Sequence, residues 1–138
     1  MQHVRQREQR DCGIAALAMV AGISYEEAQS AFAPAYEPKR TGLIAADLYA
    51  ALAELGFATQ ELHWPRWGGP IKHAGAWPPK PFAPAHLAQL YNAGSGGHFI
   101  AMDESGTAYD PARPGPRTLG DYTEIWTVAG IWPARRPP

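Results

Sequence analysis

At 138 residues the chain fits one domain, long enough to bury roughly two-thirds of its unfolded surface in a single core. Its 12 basic and 13 acidic side chains leave a net charge of −1, with no basic stripe beyond the short Arg135-Arg136 pair, which argues against a nucleic-acid partner or an anionic membrane surface. Apolar residues reach 46%, yet 25 are alanine and Ile, Leu, Val and Phe number only 23; the five Trp and six Tyr supply bulk for a core, and the near-neutral charge argues against disorder.

No apolar run approaches the ~20 residues that span a bilayer, and the polar start Met1-Gln-His-Val-Arg-Gln-Arg-Glu-Gln-Arg10 lacks the apolar centre of a signal peptide, so the expected location is the cytoplasm. The one cysteine, Cys12, allows no internal disulfide and no multi-cysteine metal site. Reactivity or plain packing are its remaining roles.

In chain order, Asp11 or Cys12 opens the apolar stretch Ile14-Ala-Ala-Leu-Ala-Met-Val-Ala21, which predicts a mostly buried helix closed by Gly22. Ser24-Tyr-Glu-Glu27 has the capping-box form and opens a second helix to about Phe32, stopped by Pro34. Thr41-Gly42 leads into a third, Leu43 to Leu55, with apolar residues at 44, 48, 51, 52 and 55 on one face and Gly56 as its stop. Phe57 to Leu62 reads as a strand. The segment 64–84, with six prolines, three tryptophans and three glycines, reads as a loop, either a rigid surface excursion or a lid bordering a groove.

From Ala85 the period shortens, predicting a strand through His86 to Tyr91, the connector Asn92 to Gly97, a strand from His98 to Asp103, a turn at Glu104-Ser-Gly-Thr107 and a return strand through Ala108-Tyr109 to Asp110. A last strand is expected at Glu124 to Ala129, before a tail at 133–138 that should fray. Helices first and antiparallel strands later imply an α+β domain spanning 1–138, with 1–11 as an N-terminal segment and no internal repeat.

A thiol at a helix start gains from the partial positive charge and open N–H groups there, which favour the reactive thiolate. An ordinary thiol, with a pKa near 8.5, is only a few per cent ionised at neutral pH, so a cysteine hydrolase also needs an adjacent base. His98 can take the thiol proton and later deliver it to a leaving group, and Asp110 can hold the ring in the useful tautomer. The predicted hairpin brings His98 and Asp110 to the same end of a sheet. Each residue alone has a plainer reading: Cys12 as a small buried hydrophobe, His98 as a strand-end histidine, Asp110 as a turn aspartate before Pro111. Their joint arrangement sets the catalytic reading level with the plain one. His86 reads as a packed core histidine, and His63 and His73 form no cluster with metal-ligand spacing, so neither metal nor cofactor is expected.

Gln6-x5-Cys12 within Asp11-Cys-Gly-x-Ala-Ala-Leu17, the later Gly97-His-Phe-Ile100 and Asp110-Pro111 resemble the bacteriocin-processing peptidases, the papain-like family that trims double-glycine leader peptides. Leu43-Ile-Ala-Ala-Asp-Leu48 through Glu54-Leu-Gly-Phe57 and the segment Leu119 to Trp126 extend the likeness over most of the chain. The resemblance implies a papain-like cysteine peptidase fold with Cys12 as nucleophile, His98 as general base and acid, Asp110 as orienter and Gln6 as side-chain donor of the oxyanion hole. Gln9 lies nearer Cys12, but the family spacing favours Gln6. A glutamine amide suits that role, since its NH₂ can donate to a developing oxyanion alongside the Cys12 N–H.

The segment 64–84 has no counterpart in the resemblance, so it implies the chemistry and leaves double-glycine specificity open. The Gly68-Gly69 and Gly96-Gly97 pairs read as turn and close-approach residues rather than self-cleavage sites. Family members are fused to membrane and ATP-binding transporter segments, and this chain carries neither, so transport is not expected of it. The expected function is cleavage of a peptide or protein substrate through a Cys12 acyl-enzyme. A transamidase using the same residues, or a non-catalytic peptide-binding module gripping with the tryptophan-rich loop, are the alternatives.

Overall fold

The computed structural model describes residues 1–32, 43–63, 81–92, 96–122 and 125–134. The greater part of the predicted 64–84 loop, with its three tryptophans, His73 and Gly68-Gly69, lies outside the described residues, as do Pro34, Thr41-Gly42, residues 93–95 of the connector, Glu124 and residues 135–138 of the tail.

Helix α1 spans Cys12–Ala21. The Asp11 carbonyl starts it, accepting from the N–H groups of Ile14 at 3.1 Å and Ala15 at 3.2 Å, and Gly22 ends it with φ 68°, the left-handed conformation that lets its N–H return to the Ala18 carbonyl. Every residue from Gly13 to Val20 is buried, as an alanine-rich helix packed closely on its neighbours requires. Helix α2, Tyr25–Ser30, has the expected reciprocal box: Glu27 N–H donates to Ser24 Oγ and Ser24 N–H to Glu27 Oε1, each at 3.1 Å. It stops short of Phe32 because the Ala31 N–H turns back to the Ala28 carbonyl, tightening the last turn. Helix α3, Ala45–Glu54, opens with Asp47 accepting the Ile44 N–H at 3.0 Å and buries Leu48, Ala51 and Leu52.

The strands are β1 Phe57–His63, β2 Ala85–Asn92, β3 Gly96–Asp103, β4 Thr107–Tyr109, β5 Pro116–Thr118 and β6 Ile125–Pro133. They form one six-stranded sheet in the order β1-β6-β2-β3-β4-β5, and every neighbouring pair is antiparallel. The fold is α+β, as the sequence predicts. The central strands β2, β3 and β6 bury residues on both faces. Leu87, Phe99, Ala101, Ala129 and Ile131 join the core made by α1, α2 and α3, while Ala88, Leu90, Ile100, Met102, Ala108 and Val128 form a second core with Leu119 on the opposite face. A register shift opposite Gln89 and Leu90 lets Ile125 join that second core although strict alternation with Val128 would turn it away.

Three features depart from the sequence reading. β6 continues past Ala129 to Pro133, because Gly130, Ile131, Trp132 and Pro133 pair with Gln60, Thr59, Ala58 and Phe57. Gly130, just past the expected strand end, is a close-approach residue: a Cβ there would stand 2.5 Å from Phe82 Cε2. β5 and the 3-10 turn Leu119–Asp121 that follows it come from a proline-rich stretch with no strand pattern.

His86 is fully buried, as expected of a core histidine. Its Nε2 accepts the N–H groups of Phe82 at 3.0 Å and Ala83 at 3.2 Å, and burial pushes its pKa below the usual imidazole range, so the ring is neutral. Replacing it removes a packed ring and leaves two N–H donors without that acceptor. His86→Ala should lower stability by about 2–4 kcal/mol, read as a shift in the urea midpoint at constant slope.

Candidate active site

Cys12 is the first residue of α1 and only partly buried. No side chain caps the helix, since Asp11 turns its carboxylate the other way, to the N–H groups of Arg7 at 2.9 Å and Glu8 at 3.0 Å and to the Tyr25 hydroxyl at 2.6 Å. The sulfur therefore sits at the positive end of a helix with no capping side-chain oxygen competing for it.

His98 is the third residue of β3, and Asp110 follows β4 by one residue, on the same end of the ladder, as the predicted hairpin requires. His98 Nε2 lies 2.7 Å from Asp110 Oδ1, and the ring also hydrogen-bonds the Cys12 thiol. With Nε2 taken by the carboxylate, Nδ1 is the nitrogen left for sulfur. One ring thus links thiol and carboxylate. Burial alone would drive the proton off His98, but the bonds to Asp110 and Cys12 outweigh it and raise the ring to about 9.

Asp110 is buried and its carboxylate fully engaged. Burial would raise its pKa, but His98, the Tyr122 hydroxyl on Oδ2 at 2.7 Å and the Ala112 N–H on Oδ1 at 2.8 Å together lower it to about 2. The Ala112 bond closes an Asx turn through Pro111, so the carboxylate that makes this turn is also the one that meets His98. Arg113 Nε lies 4.0 Å from Oδ2 on an exposed side chain and adds little.

A strap absent from the sequence reading ties the N-terminal residues around Gln6 to the chain that follows Asp110. His3 Nε2 hydrogen-bonds the Asp110 carbonyl at 2.8 Å, the Gln6 N–H donates to the Pro111 carbonyl at 2.9 Å, and Arg5 Nε donates to the same carbonyl at 3.1 Å. Residues 3–6 are thereby laid along the chain at Asp110 and Pro111. The Gln6 amide donates one N–H to the Glu8 carbonyl at 2.8 Å, and its contact to the Gln9 carbonyl, at 3.5 Å, is weak enough to give way to a better acceptor. Gln9 itself is exposed.

Asp11, Tyr25 and Tyr122 carry no catalytic signature in sequence, yet each is one hydrogen bond from the proposed site or from the loop that frames it. Only the Asp-Cys adjacency offers a signal for Asp11. Among the described residues no group of three or more His, Cys, Asp or Glu is arranged to hold a metal, and no helix is long and apolar enough to cross a membrane.

Residues 1–66, which include Gln6, Asp11 and Cys12, match the model of the Peptidase C39 family. That stretch, a little under half of the chain, is similar to the C39 peptidases. Solved structures show a likeness in fold over 96% of the chain. The peptidase domain of Streptococcus ComA, a bi-functional ABC transporter involved in a quorum sensing pathway, superposes with a TM-score of 0.67 at 18% identity, covering 96% of this chain and 98% of that one. A double glycine motif protease from an AMS/PCAT transporter, in complex with the leader peptide, gives 0.61 at 18%, covering 96% and 91%. The peptidase domain of Streptococcus mutans ComA gives 0.59 at 16%, covering 96% and 100%. No curated protein matches the chain in sequence. The C39 model ends before His98 and Asp110, so for those two the hydrogen-bonded line from thiol to carboxylate is the support.

Proposed function

We propose that this C39-type cysteine peptidase cuts a peptide substrate through an acyl-enzyme at Cys12, with His98 as base and acid, Asp110 as orienter, and Gln6 and the Cys12 N–H as oxyanion donors. The observation that carries the reading is the line of hydrogen bonds Cys12–His98–Asp110 at the uncapped start of α1. His98 holds the proton taken from sulfur while the Cys12 sulfur attacks the scissile carbonyl carbon. Negative charge then develops on the carbonyl oxygen, where the Gln6 amide and the helix-start N–H can meet it. Collapse of the adduct breaks the C–N bond, and the leaving amine takes the proton from His98. Water, deprotonated by the same ring, releases the acyl group and regenerates the thiol.

The bond following a pair of glycines is the substrate class favoured by the C39 match and by the likeness to the double glycine motif protease solved with its leader peptide. A cytoplasmic setting, which suits a mechanism needing a reduced thiol, completes the proposal. The test is incubation of the purified protein with synthetic peptides that differ only in having Gly-Gly or Ala-Ala before one bond, followed by mass spectrometry. Cleavage of the Gly-Gly peptide by the wild type and by no Cys12→Ala sample is the expected result; uncut peptide, or cleavage that persists in Cys12→Ala, overturns it. Gln6→Ala should lower kcat about 10²–10³-fold with little change in KM, as loss of a transition-state donor does.

A further inference from the structure

Asp11 is a fully buried carboxylate that takes no part in the reaction just described. Three donors converge on it: the Arg7 and Glu8 N–H groups and the Tyr25 hydroxyl. A carboxylate withdrawn from water is stabilised only by such partners, and two of them are backbone groups of the loop between Gln6 and Cys12. Tyr25 opens α2, whose capping box fixes its start, and is itself buried in the helical core. The Arg7 guanidinium lies 4.0 Å from the centroid of the Tyr25 ring and reaches Glu26 at 2.7 Å, closing the loop over α2. The shape of residues 6–9 is therefore referenced to a helix rather than left to the loop.

The Gln6 side chain needs such a reference. Its Nε2 is anchored on the Glu8 carbonyl, in the residue whose N–H Asp11 grips, while its Oε1 is buried without a hydrogen-bond partner among the described residues. The amide is thus held through its nitrogen, and the carbonyl it leans on moves with the Glu8 backbone.

Building on the proposed peptidase reading, we propose that Asp11 and Tyr25 are positioning residues of the oxyanion hole, acting through the Arg7–Glu8 backbone to aim the Gln6 amide. Two consequences separate this from a purely structural role. Alkylation of Cys12 develops no oxyanion, so it depends on the thiol and His98 but not on Gln6. And if Tyr25 acts through Gln6, removing its hydroxyl costs nothing once the amide is gone.

The experiment compares wild type, Tyr25→Phe, Gln6→Ala and the double variant, with Asp11→Asn as a second probe of the same carboxylate. Two rates are measured, cleavage of a Gly-Gly peptide and iodoacetamide labelling of Cys12 near pH 6.5. Tyr25→Phe should lower kcat about tenfold at unchanged KM, leave labelling within twofold of wild type, and lose its effect, to less than twofold, in the Gln6→Ala background. Asp11→Asn should follow the same pattern if it folds; Tyr25→Phe, which removes one oxygen, decides the matter if it does not. A tenfold cost that persists in Gln6→Ala, or a fall in labelling equal to the fall in kcat, overturns the positioning role while the peptidase reading stands. A wild type that labels rapidly but cuts no peptide overturns both.

Discussion

Iodoacetamide should label Cys12 near pH 6.5 faster than a free thiol of ordinary pKa, and His98→Ala should abolish that advantage together with peptide cleavage. The expectation rests on the ring that hydrogen-bonds the sulfur and is itself held at 2.7 Å by Asp110. Removing a positioned general base costs typically 10²–10⁴-fold, and here the same ring must also protonate the leaving amine. Cys12→Ala removes the nucleophile and should leave no acyl-enzyme detectable by mass. Equal labelling rates in wild type and His98→Ala would refute the pairing, whatever the cleavage assay showed.

The second large effect is on pH dependence. His98 titrates at about 9, raised against its own burial by Asp110 and Cys12, so the protonated ring that serves the leaving group persists until pH passes through that value. Asp110→Asn takes away the anion that holds the proton and offers the ring a neutral partner. The alkaline limb of kcat/KM should then move down towards the ordinary imidazole range, and the rate at neutral pH should fall, by up to ~10⁴-fold where an orienting aspartate is changed in this way. Stability follows the same signs. The pairing stabilises the fold fully below the unfolded histidine pKa of about 6.5, and that contribution fades as pH rises through 9. For Asp110, held at about 2, the contribution is present above the unfolded value near 3.9 and is lost as pH falls through 2. Thermal melts of Asp110→Asn and wild type should therefore differ most at neutral pH and converge in acid; an alkaline limb that does not move would refute the assignment.

The parts of the fold legible in sequence are those decided within a few residues. The Ser24–Glu27 box, the Gly22 stop and the apolar stripe of α3 each follow from side chains that meet within one or two turns. The His98–Asp110 pairing is readable because a short turn at residues 103–107 joins its strands. The misses are long-range. β6 runs to Pro133 because β1, some seventy residues earlier in the chain, supplies its partner, and Gly130 sits inside a strand because Phe82 presses on that point. Most hidden is the N-terminal segment. His3, Arg5 and the Gln6 backbone bond to carbonyls at 110 and 111, more than a hundred residues away, and carbonyl acceptors leave no mark in a sequence. Asp11 looks in sequence like an ordinary helix-opening residue, since nothing local reports that its carboxylate points backwards.

That backward turn has a further meaning for protein engineering. A side-chain oxygen at the start of α1 would commonly add about 1 kcal/mol of helix stability. It would also set a side-chain oxygen on the Gly13 or Ile14 N–H, beside the thiol, so a redesign scored on melting temperature alone would favour a cap that competes with the sulfur for the helix's positive end. The helix start is best understood as kept vacant, and the tolerance of this chain to stabilising mutation should be lowest at that one turn.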